Sequence, residues 1–160
     1  MKNGKAYFAF DDCGRSSGIK IVEVDMQNNT IIDRVAMEGE TLPELAKISD
    51  TLFMYDIGQG IDIRTYSYYI YNTETNESSL FLTTQYNPET DEGKIPQCVR
   101  GVGEEIWVLV QVNGDAKQAN VLERYSTDGK LLGTVSLPEE LSPYTDSDGQ
   151  TYRISDFDVR

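Results

Sequence analysis

The sequence predicts an all-β protein, and three observations support that fold class. Short runs rich in Val, Ile, Tyr and Phe alternate with clusters of Asn, Gly, Asp and Ser, as strands joined by hairpin turns require. Helical patterns are nearly absent. In "TYSYYIYN" both alternating sets of side chains are bulky, which indicates a sheet that is packed on its two faces.

The predicted strands follow one another along the chain. "TLPELAKI", Thr41 to Ile48, is expected to form a single helical turn before an extended stretch, because a capping-type Thr precedes Pro-Glu there. The last segment, "TYRISDFDV", is expected to complete the first group of strands, since an unpaired strand would expose a sticky edge. In chain order the main predicted strands are AYFAF, GIKIVEV, IIDRVAM, TLFMY, TYSYYIY, SLFLTT, EIWVLVQV and LLGTVSL.

A turn pair followed three residues later by an aromatic residue occurs four times. The aromatic positions are 46, 54 and 45 residues apart, which is the size of a supersecondary repeat. Two strand ends are in phase with them, since Tyr71 and Tyr125 each lie 18 residues after an aromatic position. The four aromatic residues are Tyr7, Phe53, Trp107 and Tyr152.

These repeats resemble the blades of β-propellers, in which three or four antiparallel strands are covered on both faces by neighbouring blades. The turns "VDMQNNTIIDRV" and "YSTDGKLLGTV" look like the outer hairpins of six- and seven-bladed TolB-like and YVTN-like families. The resemblance covers nearly the whole chain, through about three and a half degenerate blades. It implies a single β domain over residues 1–160, with blade-like units at about 3–40, 44–87 and 96–138 and a partial fourth at 144–160.

A closed propeller needs at least about four blades, so three arrangements are open. The chain is a piece of a longer propeller, or copies assemble into a ring, in the simplest case as a homodimer. In the third arrangement the strands close differently, as a small β-barrel or sandwich.

Charge and composition exclude several classes of function. Fourteen Lys and Arg against 27 Asp and Glu give a net charge of −13, which repels nucleic acid and anionic lipid. The chain has no His, which excludes Ser-His-Asp and Cys-His nucleophiles and most catalytic zinc sites. No apolar run approaches the roughly 18 residues of a membrane span, so membrane insertion is not expected. Cys13 and Cys98 are expected to be unpaired thiols, with a disulfide as the alternative.

The segment "TDSDGQTY" has two interpretations. Asp146 and Asp148 offer hard oxygen ligands and Gly149 permits a bend, which makes calcium the one candidate cofactor. Asp-Gly is also a preferred hairpin-turn pair and no EF-hand Glu follows, so a turn without a cofactor is predicted. The segment also resembles the Asp-box of sialidase-like propellers, with Ser147 in place of its defining Asp. That box is a structural turn, so the resemblance implies blades and not sialidase activity.

Two groups of residues are candidates for binding. The loop "DDCGRSSG" holds Asp11, Asp12 and Arg15, and loops on a rigid β scaffold often carry recognition. Tyr is abundant further along the chain, and aromatic rings stack on sugars or peptide side chains. The polar insertion "YNPETDEGKIP" adds loop surface. The predicted binding residues of this second group are Tyr66, Tyr68, Tyr86 and Glu89.

The predicted function is a non-enzymatic binding or scaffold module that recognises a protein or glycan through its inter-strand loops and Tyr-rich face. The alternative is a carboxylate-based glycoside hydrolase or lyase-like propeller fragment, with Asp11, Asp12, Asp56 and Asp62 as candidates. An enzyme should bring two desolvated acids together, whereas a scaffold should disperse them. Repeat proteins of this appearance often belong outside the bacterial cytoplasm. An extracytoplasmic or cell-surface location is therefore expected if the native chain has a signal peptide, a pattern that "MKNGKAYFAF" lacks.

Overall fold

A computed structural model describes residues 4–11, 18–38, 45–59, 64–112, 120–138, 144–152, 154 and 157. Every regular element in these ranges is a β-strand, so the all-β prediction is confirmed. Residues 41–44 of the predicted helical turn lie outside them, and Ala46 and Lys47 are extended. The strands are β1 (Lys5–Asp11), β2 (Gly18–Asp25), β3 (Thr30–Glu38), β4 (Ala46–Lys47), β5 (Leu52–Gln59), β6 (Arg64–Asn72), β7 (Glu77–Asn87), β8 (Glu92–Val102), β9 (Glu105–Val112), β10 (Val121–Ser126), β11 (Leu131–Ser136), β12 (Tyr144–Thr145) and β13 (Thr151–Tyr152).

Within each sheet, strands that are neighbours in sequence are also hydrogen-bonded neighbours. β1, β2 and β3 form a three-stranded sheet in that order. A second sheet has the order β11-β10-β9-β8-β7-β6-β5-β4, and β12 pairs with β13. Neither of the two larger sheets closes on itself within the described ranges. The topology is an antiparallel meander, which hairpin turns between consecutive strands produce.

In three hairpins, a side-chain oxygen of the last strand residue accepts the hydrogen bonds that form the turn. The side chains of Asp25, Asn72 and Asn87 accept hydrogen bonds from the backbone N–H groups two and three residues later, at 2.9 to 3.4 Å. These Asx turns satisfy N–H groups that leave the strand ladder. Four residues after each of the three, the backbone has a positive φ, which Asn and Asp tolerate better than other non-glycine residues. Those positions are Asn29, Asn76 and Asp91.

The Asp148-Gly149 pair forms the predicted turn, between β12 and β13. Gly149 has a φ of +78°, and Asp146 Oδ1 accepts hydrogen bonds from the N–H groups of Asp148 and Gln150 at 3.0 and 2.9 Å. The carboxylate of Asp146 therefore organises the turn, while the side chain of Asp148 is exposed.

The β7–β8 hairpin depends on Gly93, where two backbone segments approach closely. Gly93 has a φ of +118° and pairs with Tyr86, and a Cβ there would lie 2.1 Å from the carbonyl oxygen of Gln85. Because the clash is with backbone, no side-chain rotation relieves it. We expect Gly93→Ala to lower the free energy of unfolding by about 2 kcal/mol, measured by urea unfolding with far-UV circular dichroism.

Gly103→Ala is the matched control for this prediction. Gly103 also has a positive φ, +63°, but a Cβ there meets no atom within 4 Å. The control should lose about 1 kcal/mol from backbone strain alone. Equal losses in the two variants would show that the contact with Gln85 relaxes without cost.

The chain contains two compact units, the first formed by residues 1–59 and 67–81 and the second by residues 60–66 and 82–160. In the first unit, Tyr7 on β1 lies 5.0 Å from Phe53 and 6.4 Å from Tyr71, measured between ring centroids. The three-stranded sheet therefore packs face to face on β5 and β6. The core of this unit is Ile21, Tyr55 and Tyr71, bordered by Tyr7, Leu45 and Tyr69.

Strand β6 has buried residues on both of its faces, as "TYSYYIYN" predicts. Tyr68 and Ile70 are 9% and 7% exposed, and Tyr71, on the opposite face, is fully buried. The ring of Tyr69 is half-buried and stacks on Tyr55 at 5.5 Å. Both faces of β6 therefore carry buried, largely apolar side chains, which is typical of a sheet covered on both sides.

The core of the second unit is centred on β9. Ile106, Val108, Leu109 and Val110 are each no more than 1% exposed. Because successive residues of a strand point to opposite faces, β9 is covered on both sides.

Trp107, on the same strand, is half-buried and packs within the sheet surface. The guanidinium of Arg124 lies over its ring, 5.2 Å from the centroid. Glu105 accepts hydrogen bonds from Trp107 Nε1 at 2.9 Å and from Arg124 Nη2 at 2.7 Å. Arg124, which Glu105 holds in place, thus covers one face of the indole, so Trp107 is a packing residue in this unit.

Candidate binding surface

The face of the β1–β2–β3 sheet opposite to Tyr7 carries mostly apolar side chains. In the strand register Phe8 pairs with Val22, and Ala6 and Ile31 both pair with Val24. Phe10 shares this face with Phe8, because residues two apart on a strand point the same way. We call this surface the outer face; it consists of Ala6, Phe8, Phe10, Val22, Val24 and Ile31.

Three large side chains of the outer face are open to solvent. Phe8 is 47%, Phe10 51% and Ile31 73% exposed, and the two phenyl rings are 6.2 Å apart. Single exposed apolar residues are common on proteins, but a contiguous group on one face marks an interaction site. Val22 on the middle strand is 8% exposed, so it fills the surface between its neighbours.

The charged residues on the same side of the sheet are solvated. Lys20 Nζ lies 3.1 Å from the Asp33 carboxylate, and both side chains are more than half exposed. An exposed pair of this kind contributes little to stability. Lys20 pairs with Phe10 and Asp33 with Val22, so both charges lie on this side of the sheet beside the apolar side chains.

The inner face of the same sheet holds a buried carboxylate. Glu23 on β2 is 1% exposed. Its Oε1 lies 2.6 Å from Lys5 Nζ, and its Oε2 accepts hydrogen bonds from Arg34 Nε at 2.8 Å and from Tyr7 Oη at 3.3 Å. One carboxylate thus connects all three strands of the sheet that carries the outer face.

Strand register places Arg34 on the same face as this carboxylate. Ile32 pairs with Glu23, so Arg34, two residues further along β3, points to the same side. A bulge follows at this position, because Val22 pairs with Asp33 and Ile21 pairs with Val35.

The charge state of Glu23 follows from its partners. Burial raises the pKa of Glu23, but hydrogen bonds from Lys5 and Arg34, together with their positive charges, lower it by more. The net effect is a pKa below the ordinary value of a glutamate, so Glu23 is ionised at neutral pH. The hydrogen bond to Glu23 correspondingly raises the pKa of Lys5.

The second unit contains a comparable carboxylate, Glu123, which is 3% exposed. Tyr125 Oη donates a hydrogen bond to its Oε2 at 2.6 Å, and Lys94 Nζ lies 2.5 Å from its Oε1. Burial, and then the hydrogen bond to Glu123, raise the pKa of Tyr125. Both buried acids therefore have an amine counterion, as structural ion pairs do.

The loop predicted to bind through Asp11, Asp12 and Arg15 is largely outside the described residues. Asp11 ends β1 and only its backbone is described; Asp12, Cys13 and Arg15 lie outside. Cys98 is half-buried on β8.

The predicted tyrosine group is divided between the two units. Tyr66 and Tyr86 are half-buried in the second unit, and Glu89 is exposed in the β7–β8 turn. Tyr86 Oη donates a hydrogen bond to Asp91, which raises the pKa of Tyr86. Tyr68 is buried in the first unit, at 9% exposure.

Two further carboxylates were predicted for hydrolysis. Asp56 is half-buried on β5, and Asp62 lies outside the described residues. In the part of the chain that the structure describes, no three Cys, Asp or Glu side chains are grouped so that they could hold a metal ion.

Sequence reasoning missed Glu23 and the outer face, although signals for both are present. In "AYFAF", aromatic residues occupy both alternating sets, Tyr7 in one and Phe8 and Phe10 in the other, which predicts two apolar faces. In "GIKIVEV", Glu23 shares a face with Ile21. An acid on an otherwise apolar face predicts a buried partner of opposite charge.

No protein-family model matches the chain, and no curated protein is significantly similar to it. Within the described ranges, none of the elements is a helix with the length and apolar character needed to cross a membrane. The function is therefore inferred from the surface and its chemistry.

Proposed function

We propose that this chain is a protein-binding module built of propeller-like blades, and that it binds its partner through the outer face. The observation that carries the proposal is the grouping of Phe8, Phe10 and Ile31, each at least 47% exposed, on one face of a sheet whose opposite face is packed. Aromatic side chains at the centre of a patch supply much of the binding energy in protein interfaces.

The meander topology supports the blade-like part of the proposal. The antiparallel strands β1–β3 fall within the first repeat unit, and the sheet that they form packs face to face on β5 and β6 of the next repeat. Neighbouring blades of a propeller stack in this manner.

The partner proposed here is a β-sheet surface with an apolar centre and a basic rim. On the inner face of the β1–β2–β3 sheet, the ring of Tyr7 already packs against another sheet. The outer face carries aromatic side chains as well, which could pack against a partner's sheet in the same way. The chain has a net charge of −13, so Lys and Arg around the partner's apolar centre would be attracted to it. Binding should consequently weaken as salt is raised.

The Glu23 network supports a rigid recognition surface. It holds β1, β2 and β3 together directly beneath the outer face. A surface that is ordered before binding loses less conformational entropy on association.

The decisive experiment compares Phe8→Ser/Phe10→Ser with the unaltered chain. A partner is first isolated with the unaltered chain as bait and identified by mass spectrometry, and its affinity is then measured by calorimetry with both purified proteins. We expect the double variant to bind at least about 100-fold more weakly, because two aromatic anchors are removed.

Leu131→Ser/Leu132→Ser is the matched control, since both leucines are also about half exposed, at 47% and 45%, but lie on β11. The control should keep full affinity, and both variants should keep the circular dichroism spectrum of the unaltered chain. A partner that binds the Phe8→Ser/Phe10→Ser variant undiminished would disprove recognition through the outer face.

A further inference from the structure

Among the residues that the structure describes, strand β11 is an edge of the eight-stranded sheet, and it lacks the protection that other described edges have. The edge strands β4, β12 and β13 are only two residues long. β1 carries Lys5 and Asp11, and β3 carries Asp33 and Glu38. Short length and charge are the usual defences of an edge against pairing with another chain. β11 spans Leu131–Ser136 and has no charged residue.

The side chains of β11 are open to solvent on both faces. Leu131 is 47%, Leu132 45% and Val135 49% exposed. A bulge interrupts the pairing with β10, because Arg124 pairs with Gly133 and Tyr125 with Leu131. The regular part of the edge is therefore Gly133–Ser136, with the two leucines beside it.

We propose that β11 pairs with β11 of a second copy of this chain, antiparallel and through residues 133–136. A two-fold axis normal to the sheet and centred on Val135 places Val135 of one copy opposite Val135 of the other, and Thr134 opposite Ser136. A β-branched pair and a Thr–Ser pair are both favourable across strands. The leucines of each copy add apolar surface at the ends of the contact.

Among the described edge strands longer than two residues, β11 is the one without a charged residue, so charge favours a second copy at this edge. Each copy has a net charge of −13, so two copies repel unless they meet at a neutral surface. Pairing of β11 with itself brings no charged residues opposite each other within residues 133–136. Because the remaining repulsion acts at long range, added salt should strengthen this association. That response is opposite to the one expected for a basic partner on the outer face.

The test is the solution mass of the full chain by light scattering on a size-exclusion column, at rising protein concentration in about 0.05 and 0.5 M NaCl. A dimer has about 36 kDa, twice the 18.0 kDa of the chain. We expect the dimer fraction to rise with both concentration and salt. Thr134→Lys/Val135→Lys should remain a monomer, because lysine blocks edge pairing.

Leu80→Lys is the control, because Leu80 is 58% exposed on β7, away from the edge, and it should dimerise like the unaltered chain. Val135→Lys alone is a second, milder variant and should weaken dimerisation at least about tenfold. Hydrogen exchange gives an independent readout: the amides of residues 133–136 that point to the edge should be protected only in the dimer.

Three results would each overturn the proposal. The first is a monomer at every concentration and salt. The second is a dimer that persists in Thr134→Lys/Val135→Lys. The third is a dimer that is lost in Phe8→Ser/Phe10→Ser, which would place the contact on the outer face. Loss of the protein-partner binding described above leaves the edge pairing untouched, so the two proposals fail separately.

Discussion

Tyr71→Ala is expected to lower the free energy of unfolding by about 4 kcal/mol, the cost of replacing a fully buried aromatic side chain by a methyl group. Tyr71 has no exposed surface and belongs to the core cluster with Ile21 and Tyr55. Its ring also lies 6.4 Å from that of Tyr7, so it joins β6 to the three-stranded sheet. The measurement is urea unfolding followed by far-UV circular dichroism, with ΔG extrapolated to water.

Tyr71→Phe separates the packing of this residue from its hydrogen bond. Tyr71 Oη donates to Asn76 Oδ1 at 2.9 Å, and Asn76 has a positive φ of 58° in the turn after β6. The phenylalanine variant should lose only about 1 kcal/mol, the value of one such hydrogen bond. If both variants lost the same amount, the ring would contribute nothing beyond its hydroxyl and the core assignment would be wrong.

Glu23→Gln is expected to cost about 3 kcal/mol at neutral pH, the second of the large effects. The substitution removes the negative charge but leaves Lys5 and Arg34 directed at the same buried position. Breaking one side of a buried ion pair is strongly destabilising because the remaining charge has lost its counterion. Thermal or urea unfolding at pH 7 gives the value.

Asp33→Asn provides the contrast. The Lys20–Asp33 pair lies on the same sheet, but both side chains are more than half exposed. Its removal should change stability by less than about 0.5 kcal/mol. A loss in Asp33→Asn as large as that in Glu23→Gln would show that burial is not the source of the effect.

The pH dependence of Glu23→Gln supplies an independent check. The pKa of Glu23 is lower in the folded chain than its ordinary value of 4.5. The unfolded chain therefore binds a proton at Glu23 first, so the stabilisation is complete above about pH 4.5 and is lost as pH falls through the folded pKa. The difference between the unaltered chain and Glu23→Gln should shrink in that acidic range and stay constant from pH 6 to 8, a window above both values.

Turns and strands were predictable because their causes are local. Asp25 and Asn72 accept hydrogen bonds from N–H groups two and three residues away, so the residues that form each turn are adjacent in the sequence. The pairing of aromatic and apolar residues on both faces of β6 is likewise visible in "TYSYYIYN". These features need no knowledge of which strands meet.

The Glu23 network was not predictable in the same way, because its members come together only through strand register. Lys5 and Arg34 reach Glu23 from the two neighbouring strands. Arg34 does so because it lies two residues after Ile32, the cross-strand partner of Glu23, and a one-residue change of register would turn it away. Neither alternation nor composition reports which residues of two strands pair.

By itself, the sequence determined that this chain forms antiparallel strands joined by polar turns, and that its net charge is −13. Those properties depend on neighbouring residues and on composition. Only the tertiary structure decided that Phe8 and Phe10 are exposed while Tyr7, directly before Phe8, is half-buried against Phe53. The physical reason is that alternation assigns side chains to two faces of a strand, whereas the packing of another sheet decides which face is covered.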